Sequence, residues 1–189
     1  MKVLGIAGSP RKGGNTDTLL AEVLRGAASK NAKIKLIALR ELKIIPCTHS
    51  DYCLGTGMCN IQDDMQAVYR ELEDADRIIL ASPVQFMGLT SQMKAMIDRC
   101  QSLWARKYIL KVLPLNPPKE RRGFFISVGG SKARGLFEPS LATVKSFFVT
   151  LNVVYAGDLL FPGMDEKGSI LKHPEAMQKA FEAGAKLTE

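Results

Sequence analysis

The sequence predicts an α/β fold in which helices cover both faces of a doubly wound, five-stranded parallel sheet. Three observations lead to this expectation. Short apolar runs alternate along the chain with amphipathic segments, as strands alternate with crossover helices. Residues 3–7 and 77–81 are almost continuously apolar, which is typical of strands buried on both faces. Glycine, serine or proline follows these runs, where a strand would turn into the next helix.

The expected strands differ in their hydrophobic pattern. In residues 33–39 the apolar side chains alternate, which predicts a strand nearer an edge with Ile34, Leu36 and Ala38 facing inward. The runs at residues 3–7 and 77–81 read as buried strands. The five strands are expected at residues 3–7, 33–39, 77–81, 123–128 and 153–161.

Five helices are expected between and after these strands. The first presents Leu20, Val23, Leu24 and Ala27 at the i, i+3, i+4, i+7 spacing of one helix face. A capping side chain, or a proline at the first helical position, marks the start of the others. These start signals are Asp63, Thr90 or Ser91, Ser140 and Pro174. A surface loop or partner-contact segment is expected around Pro114, Pro117 and Pro118.

Composition limits the class of protein. The chain has 189 residues, 46% of them hydrophobic and 24% charged, which suits one globular domain spanning residues 1–189. It has no apolar run long enough to cross a membrane and no signal-peptide pattern, so we expect a cytoplasmic protein. The net charge is +7, and the first 60 residues hold nine basic and four acidic side chains. This excess fits a phosphate ligand with an acidic partner better than nucleic acid, since no zinc-finger or RNP pattern occurs.

The loops that follow strands one, three and four are the expected place for chemistry. In a doubly wound sheet these loops meet at the carboxyl edge of the strands, where ligands bind. They begin here at Gly8, Ser82 and Gly129. Only two histidines, His49 and His173, are present and they form no Ser/His/Asp or Cys/His/Asn pattern, which disfavours hydrolase chemistry.

The first of these loops has the composition of an anion site. It reads Gly-Ser-Pro-Arg-Lys-Gly-Gly-Asn-Thr over residues 8–16 and lies just before a helix, whose first N–H groups point at a ligand. Ser9, Asn15 and Thr16 supply hydrogen-bond donors, and Arg11 or Lys12 supplies charge. Neither the Walker A pattern nor the G-x-G-x-x-G fingerprint is met. A terminal monophosphate, as on FMN, is the ligand that remains.

These residues resemble the phosphate loop of the flavodoxin-like NAD(P)H-dependent FMN reductases. The similarity continues through residues 82–88, Lys94, residues 98–99, Gly157, residues 166–168 and residues 174–175. The block Pro46-Cys47 … Cys53 … Cys59 … Asp63-Asp64-Met65 is most similar to the iron–sulfur flavoprotein branch. The resemblance implies strand order 2-1-3-4-5 and an oxidoreductase whose chemistry is carried by FMN rather than by a catalytic side chain. It also implies a homodimer or homotetramer in which one subunit's loop completes another's flavin site.

The resemblance also implies the roles of individual residues. Phosphate would be bound by Ser9, Arg11, Gly14, Asn15 and Thr16. Pro83, Val84 and Phe86 would pack on the flavin ring, with the Met87 and Gly88 amides at its polar edge and Gly129 and Gly130 approaching from the next loop. Gln85 stands where the family often has tyrosine.

A cysteine loop at about residues 46–62 carries Cys47, Cys53 and Cys59. By resemblance these would bind a [4Fe–4S] cluster, but Ser50 occupies the position of the usual fourth cysteine, and a serine oxygen is a poor substitute for thiolate. Three alternatives follow: a cluster completed by Ser50, His49 or Asp51 or left with one labile iron, a cluster-free protein with remnant thiols, and a zinc site of three cysteines with His49. Cys100 has helical core spacing.

The predicted function is an FMN-dependent oxidoreductase that moves electrons from a ferredoxin-type carrier or NAD(P)H to an acceptor. The alternatives are a cluster-free NAD(P)H-dependent FMN or quinone-type reductase, a non-enzymatic carrier of flavodoxin type, and a regulatory FMN-binding module. The charge of +7 and the cysteine loop disfavour the carrier. Lys119, Arg121 and Arg122 are expected on the surface, where they would be solvated or would dock an acidic electron donor such as ferredoxin.

Overall fold

The computed structural model describes residues 1–112 and 120–189. Its strands are β1 (Lys2–Ala7), β2 (Lys33–Ala38), β3 (Arg77–Ala81), β4 (Arg122–Gly129) and β5 (Val154–Pro162). Its helices are α1 (Asn15–Ala28), α2 (Tyr52–Thr56), α3 (Met65–Asp74), α4 (Ser91–Arg99), α5 (Gln101–Tyr108), α6 (Glu138–Thr150) and α7 (Pro174–Leu187). Short 3₁₀ turns cover Leu39–Glu41 and Ser169–Lys172.

The five strands form one parallel sheet in the order β2-β1-β3-β4-β5, which confirms the predicted fold class and strand order. A core lies on each face. On one face α1 and α7 bury side chains such as Leu20 and Ala180 against Ile79 of β3. On the other, α3, α4 and α6 pack against Ile78 and neighbouring side chains. The central strands are therefore buried on both sides, as their continuous apolar runs predict.

The edge strand β2 differs from its prediction. Ile34 and Leu36 were expected to face inward, but their side chains are 38% and 55% exposed. Ala38 is half-buried against the α1–α7 core. Both cores lie over β1, β3 and β4, so a strand paired only with β1 has less to pack against.

Two of the helix start signals hold and two do not. The Thr90 side chain accepts a hydrogen bond from the Met93 amide at 3.3 Å, and Pro174 is the first residue of α7. Ser140 lies inside α6, which begins two residues earlier at Glu138. Asp63 lies two residues before α3, although its carboxylate does accept the Met65 amide at 3.0 Å. Over the described ranges the chain forms seven α-helices rather than five, because α2 lies in the cysteine loop and α5 follows α4 directly.

The basic run before β4 is not the solvated surface that was expected. Arg121 is 2% exposed and donates to the carbonyls of Ala75 at 2.9 Å, Leu151 at 3.0 Å and Leu72. Arg122 is half-buried and pairs with Glu120 at 2.6 Å. Pro114, Pro117, Pro118 and Lys119 lie outside the described residues. None of the helices in the described part of the chain is both long and apolar enough to cross a membrane.

Candidate functional site

A cleft of about 240 Å³ opens at the carboxyl edge of the sheet, where the loops after β1, β3 and β4 converge. It brings together nine of the twelve residues predicted to bind a cofactor, namely Ser9, Arg11, Gly14, Asn15, Thr16, Pro83, Val84, Gly129 and Gly130. The loops are tied to one another beneath the cleft. Thr90 donates to the Gly8 carbonyl at 2.6 Å, and Ser127 donates to the Ser82 carbonyl at 2.8 Å.

The loop between β1 and α1 is internally braced. The Ser9 hydroxyl accepts the Arg11 amide at 3.2 Å, and the Gly14 amide donates to the Arg11 carbonyl at 3.1 Å. Gly13 has φ +65°, a conformation that glycine adopts at little cost, and its amide donates to Asp17 at 2.9 Å. These bonds shape the loop but leave the first amides of α1 without intrahelical acceptors.

Asn15 and Thr16 sit side by side at the start of α1 but are used differently. The Asn15 amide group donates to the Glu166 carbonyl at 2.8 Å and the Ser169 hydroxyl at 3.0 Å, and its oxygen accepts the Ile170 amide at 3.3 Å. The Asn15 side chain therefore anchors the segment after β5. Thr16 is 1% exposed, lines the cleft and makes no side-chain hydrogen bond within the described residues.

Arg40 stabilises the same loop, a role that the sequence did not predict. It follows β2 and pairs with Asp17 at 3.0 Å, while its Nη1 also donates to the Ser9 carbonyl at 3.4 Å. Both side chains are mostly buried. The contact joins residues far apart in the chain, so no local pattern in the sequence indicates it.

The tip of the loop after β3 does not line the cleft. Gln85 and Gly88 exchange backbone hydrogen bonds at 2.9 Å in both directions, which closes a two-residue turn. Phe86 and Met87 occupy that turn with φ values of 47° and 65°. The Phe86 side chain is fully exposed, and Phe86, Met87 and Gly88 do not line the cleft. Gln85 does line it.

The loop after β5 supplies a wall of the cleft that the sequence analysis did not include. Met164 and Asp165 line the cleft, and the Met164 amide donates to the Gly129 carbonyl at 2.9 Å. Arg11 donates to the Asp165 carbonyl at 3.1 Å, which connects this wall to the first loop. Ligands of a doubly wound sheet bind at the carboxyl ends of its strands, and the loop after β5 also begins at such an end. The same rule applied to β5 would have predicted Met164 and Asp165 as site residues.

A second cavity, of about 270 Å³, lies beside the cysteine loop. Cys47, Cys53 and Cys59 all line it as free thiols, together with Ser50 and His49. Partial burial is the main cause that raises the pKa of Cys53, and the neighbouring Cys47 and Cys59 add to it. Across residues 1–112 and 120–189, no three His, Cys, Asp or Glu side chains are arranged to hold a metal ion. Cys100 does not line this cavity; it is 2% exposed in the core, and burial raises its pKa.

Comparison with known proteins identifies the family. The family model of NADPH-dependent FMN reductase matches residues 1–163. An iron–sulfur flavoprotein of Archaeoglobus fulgidus is 35% identical over 152 residues, covering 80% of this chain and 73% of that protein. An iron–sulfur flavoprotein of Methanocaldococcus jannaschii is 32% identical over 158 residues, covering 84% and 77%.

Solved structures agree in fold. An NAD(P)H:quinone oxidoreductase from Methanothermobacter marburgensis superposes with a TM-score of 0.79 at 13% identity, covering all of this chain and 96% of that one. A flavone reductase superposes with a TM-score of 0.74 at 24% identity, and this chain spans 62% of its length. The cleft at the sheet edge, the loop that precedes α1 and the match over residues 1–163 lead to one conclusion. This chain belongs to the NADPH-dependent FMN reductase family and is an FMN-dependent oxidoreductase related to iron–sulfur flavoproteins.

Proposed function

We propose that the chain binds FMN in the cleft at the sheet edge and passes electrons through it from NAD(P)H or a ferredoxin-type carrier to an acceptor. The phosphate would sit at the start of α1, and the ring against the adjoining residues 83–85 and 129–130. When bound, FMN supplies hydride and single-electron transfer, so no protein side chain is assigned as catalyst.

The observation that carries the proposal is the set of donors at the start of α1. Thr16 is 1% exposed and lines the cleft, its hydroxyl makes no hydrogen bond within the described chain, and the first amides of the helix are free of intrahelical bonds. Arg11 adds a positive charge at the same loop, and Gly14 presents only backbone to the cleft. Such a donor set fits a phosphate dianion.

The other walls suit a planar ring. Pro83 and Val84 present apolar surface, which favours a ring over water. The Val84 amide donates to the Val128 carbonyl at 2.8 Å. A backbone hydrogen bond therefore holds this wall in place, and the side chains of Pro83 and Val84 remain free to contact the ring. Gly129 and Gly130 continue this wall in the neighbouring loop, where they present only backbone to the cleft.

The charge around the mouth of the cleft supports a negatively charged electron donor. Five exposed cations stand on the loops that form it and make no ion pair within the described residues: Arg11, Lys12, Lys132, Arg134 and Lys167. Phosphate groups of NAD(P)H, or the acidic face of a ferredoxin-type carrier, would meet these charges. Association with either donor would therefore weaken as salt is added.

The test is anaerobic NAD(P)H oxidation by the FMN-loaded protein, with a quinone as acceptor, compared with reduction by a ferredoxin. We expect turnover with at least one donor. FMN binding without turnover by any donor would indicate a regulatory module and overturn the proposal.

We further propose a [4Fe–4S] cluster in the cysteine loop, because three thiols and Ser50 line one cavity. In the described residues these side chains are not arranged around a metal ion, so assembly of the cluster would have to draw them together. Iron and acid-labile sulfide would be measured per FMN in protein purified without oxygen. About four of each per flavin would establish the cluster. Flavin with neither would establish the cluster-free reductase, and zinc in their place would establish the zinc site with His49. The homodimer or homotetramer implied by the resemblance is checked by light scattering on the same sample.

A further inference from the structure

One buried side chain closes the base of the cysteine loop. Arg99, the last residue of α4, is 1% exposed. Its Nη1 donates to the Ile45 carbonyl at 2.8 Å and its Nη2 donates to the Ile61 carbonyl at 3.2 Å. Ile45 precedes the loop and Ile61 follows Cys59 by two residues, so a single guanidinium joins the two ends of the segment that carries all three loop cysteines.

Asp63 fixes the orientation of this guanidinium. Its two carboxylate oxygens pair with Arg99 at 2.6 and 3.1 Å, a two-pronged contact that holds the plane of the arginine. The same carboxylate accepts the Ile45 amide at 2.8 Å. The pair is nearly excluded from water, with side-chain exposures of 0% and 5%. We call this pair with its two carbonyl contacts the Arg99 clasp.

Both charges of the clasp persist in the folded protein. Burial opposes the charged form of Arg99, but the hydrogen bonds to Asp63 outweigh it and raise the pKa of the guanidinium, and the neighbouring Cys59 adds to this effect. Burial likewise opposes the Asp63 carboxylate, and the bond from Arg99 with the amides of Ile45 and Met65 lowers its pKa nonetheless.

One N–H group of the Arg99 guanidinium has no partner, and Arg99 lines the cavity beside the cysteine loop. The Nε–H of Arg99 is buried without a hydrogen-bond partner in the described chain. Arg99 lines the same cavity as Cys47, Cys53 and Cys59. A buried N–H on a cation is costly to leave unpaired, and its favourable partner is a negatively charged acceptor. Thiolates gathered on a metal centre are such an acceptor.

We propose that Arg99 is the positioning residue of the cysteine pocket, closing the loop so that three thiols share one cavity and offering its spare N–H to the anionic, thiolate-bound group held there. The nature of that group rests on the proposed cluster, whereas the closing of the loop does not. Joining the loop ends raises the effective concentration of Cys47 near Cys59, since a closed loop has fewer arrangements available.

Arsenite binding to the metal-free protein tests this positioning directly. Arsenous acid condenses with three thiols to give one arsenic trithiolate and three waters, with no change of oxidation state. We expect one arsenic per chain, measured by mass spectrometry, and a dissociation constant from titration. Arg99→Gln combined with Asp63→Asn removes both buried charges together, and we expect arsenite to bind about tenfold more weakly, as for loss of a charged hydrogen bond.

Two further variants separate positioning from folding. Arg99→Lys keeps the charge and the pairing with Asp63 but a single ammonium is not shaped to hold both carbonyls, so we expect arsenite affinity between the wild type and the double variant. Arg121→Gln is the matched control, because Arg121 is a buried arginine bound to three carbonyls outside the cysteine loop. It should weaken the fold without changing arsenite affinity in the folded protein.

Each result decides the proposal. No arsenite binding by the wild type would mean that the thiols do not share a cavity, and unchanged affinity in both Arg99 variants would mean that Arg99 does not position them; either overturns it. An equal loss in Arg121→Gln would assign the effect to general instability and also overturn it. Should the double variant not fold, Arg99→Lys decides alone. Arsenite binding that depends on Arg99, in protein without iron or sulfide, would uphold the clasp while rejecting the cluster.

Discussion

Asn15 and Thr16 are adjacent polar residues of the same loop motif, but their side chains have different roles in the structure. Both were expected to bind phosphate. The structure engages every donor of the Asn15 side chain with Glu166 and Ser169, whereas Thr16 lines the cleft and its hydroxyl has no partner in the described chain. The first residue is thus built into the fold, and the second is available to a ligand.

This division predicts opposite outcomes for two substitutions. Thr16→Val should lower FMN affinity about tenfold or more, because a hydrogen bond to a charged group is lost, and should leave apo stability unchanged. Asn15→Ala should lower apo stability by about 1–3 kcal/mol, because the Ile170 amide and the Glu166 carbonyl lose their partner. Fluorescence titration with FMN and urea unfolding of the apo protein measure the two effects. An Asn15→Ala apo protein as stable as the wild type would contradict this division.

The four cysteines should separate by reactivity. Cys100 is buried in the core and its pKa is raised, so it has neither access nor thiolate character. Cys47, Cys53 and Cys59 are partly exposed. Alkylation of the native apo protein with iodoacetamide should therefore add three groups per chain, and alkylation in denaturant should add four. Peptide mapping by mass spectrometry identifies the sites, and early labelling of Cys100 would show that the core opens.

At the scale of elements, α1 and α7 cross at a pair of glycines. A Cβ added to Gly26 would overlap the Phe181 carbonyl oxygen, and one added to Gly184 would overlap the Val23 carbonyl oxygen. These contacts are to backbone, which cannot turn aside as a side chain can. The absence of a side chain at both positions therefore sets the distance between the helices and seals the core that supports the first loop.

Gly26→Ala should accordingly destabilise the protein by about 1–3 kcal/mol or more, because the two helices must move apart. The matched control is Gly55→Ala, since Gly55 is also helical but has no atom within 4 Å of an added Cβ. It should be neutral or slightly stabilising. Urea unfolding of both variants gives the comparison, and equal effects would show that general helix propensity, rather than close packing, governs Gly26.

At the scale of the whole molecule, the buried pair Arg99–Asp63 links stability to pH. Burial opposes the Asp63 charge, but its hydrogen bonds hold its folded-state pKa below the ordinary value. The unfolded chain therefore takes up this proton first as pH falls. The stability that the carboxylate contributes is present above about pH 4 and is lost as pH falls through the lower, folded-state pKa.

The wild type should thus lose unfolding free energy more steeply below about pH 4 than Arg99→Gln/Asp63→Asn, which lacks the titrating pair. Other carboxylates titrate in both proteins and cancel in the comparison. Urea unfolding at several pH values between about 3 and 7 measures the two slopes. Parallel curves would contradict the assignment.

Much of the fold could be predicted because its signals are local. The runs that became β1 and β3 were found within one residue of their ends, since continuous apolar stretches need no knowledge of partners. The inward orientation of Ile34 and Leu36 was wrong, because alternation alone does not reveal whether a helix covers an edge strand. For the site, the glycine-rich loop was visible as a motif, while the outward turn of Phe86 depends on the pairing of Gln85 with Gly88.

The sequence by itself determined the alternation of strands and helices, and therefore which loops meet at the carboxyl edge of the sheet and where a phosphate would bind. Only the tertiary structure decided the uses of Arg40, Arg99 and Arg121. Each of these arginines bonds a carbonyl far away in the chain, at separations of 31 residues for Arg40, 54 for Arg99 and 46 for Arg121. The backbone carbonyls that these arginines bind have no partner within a strand or helix. They become buried, and therefore need a hydrogen-bond donor, only when the strands and helices pack together.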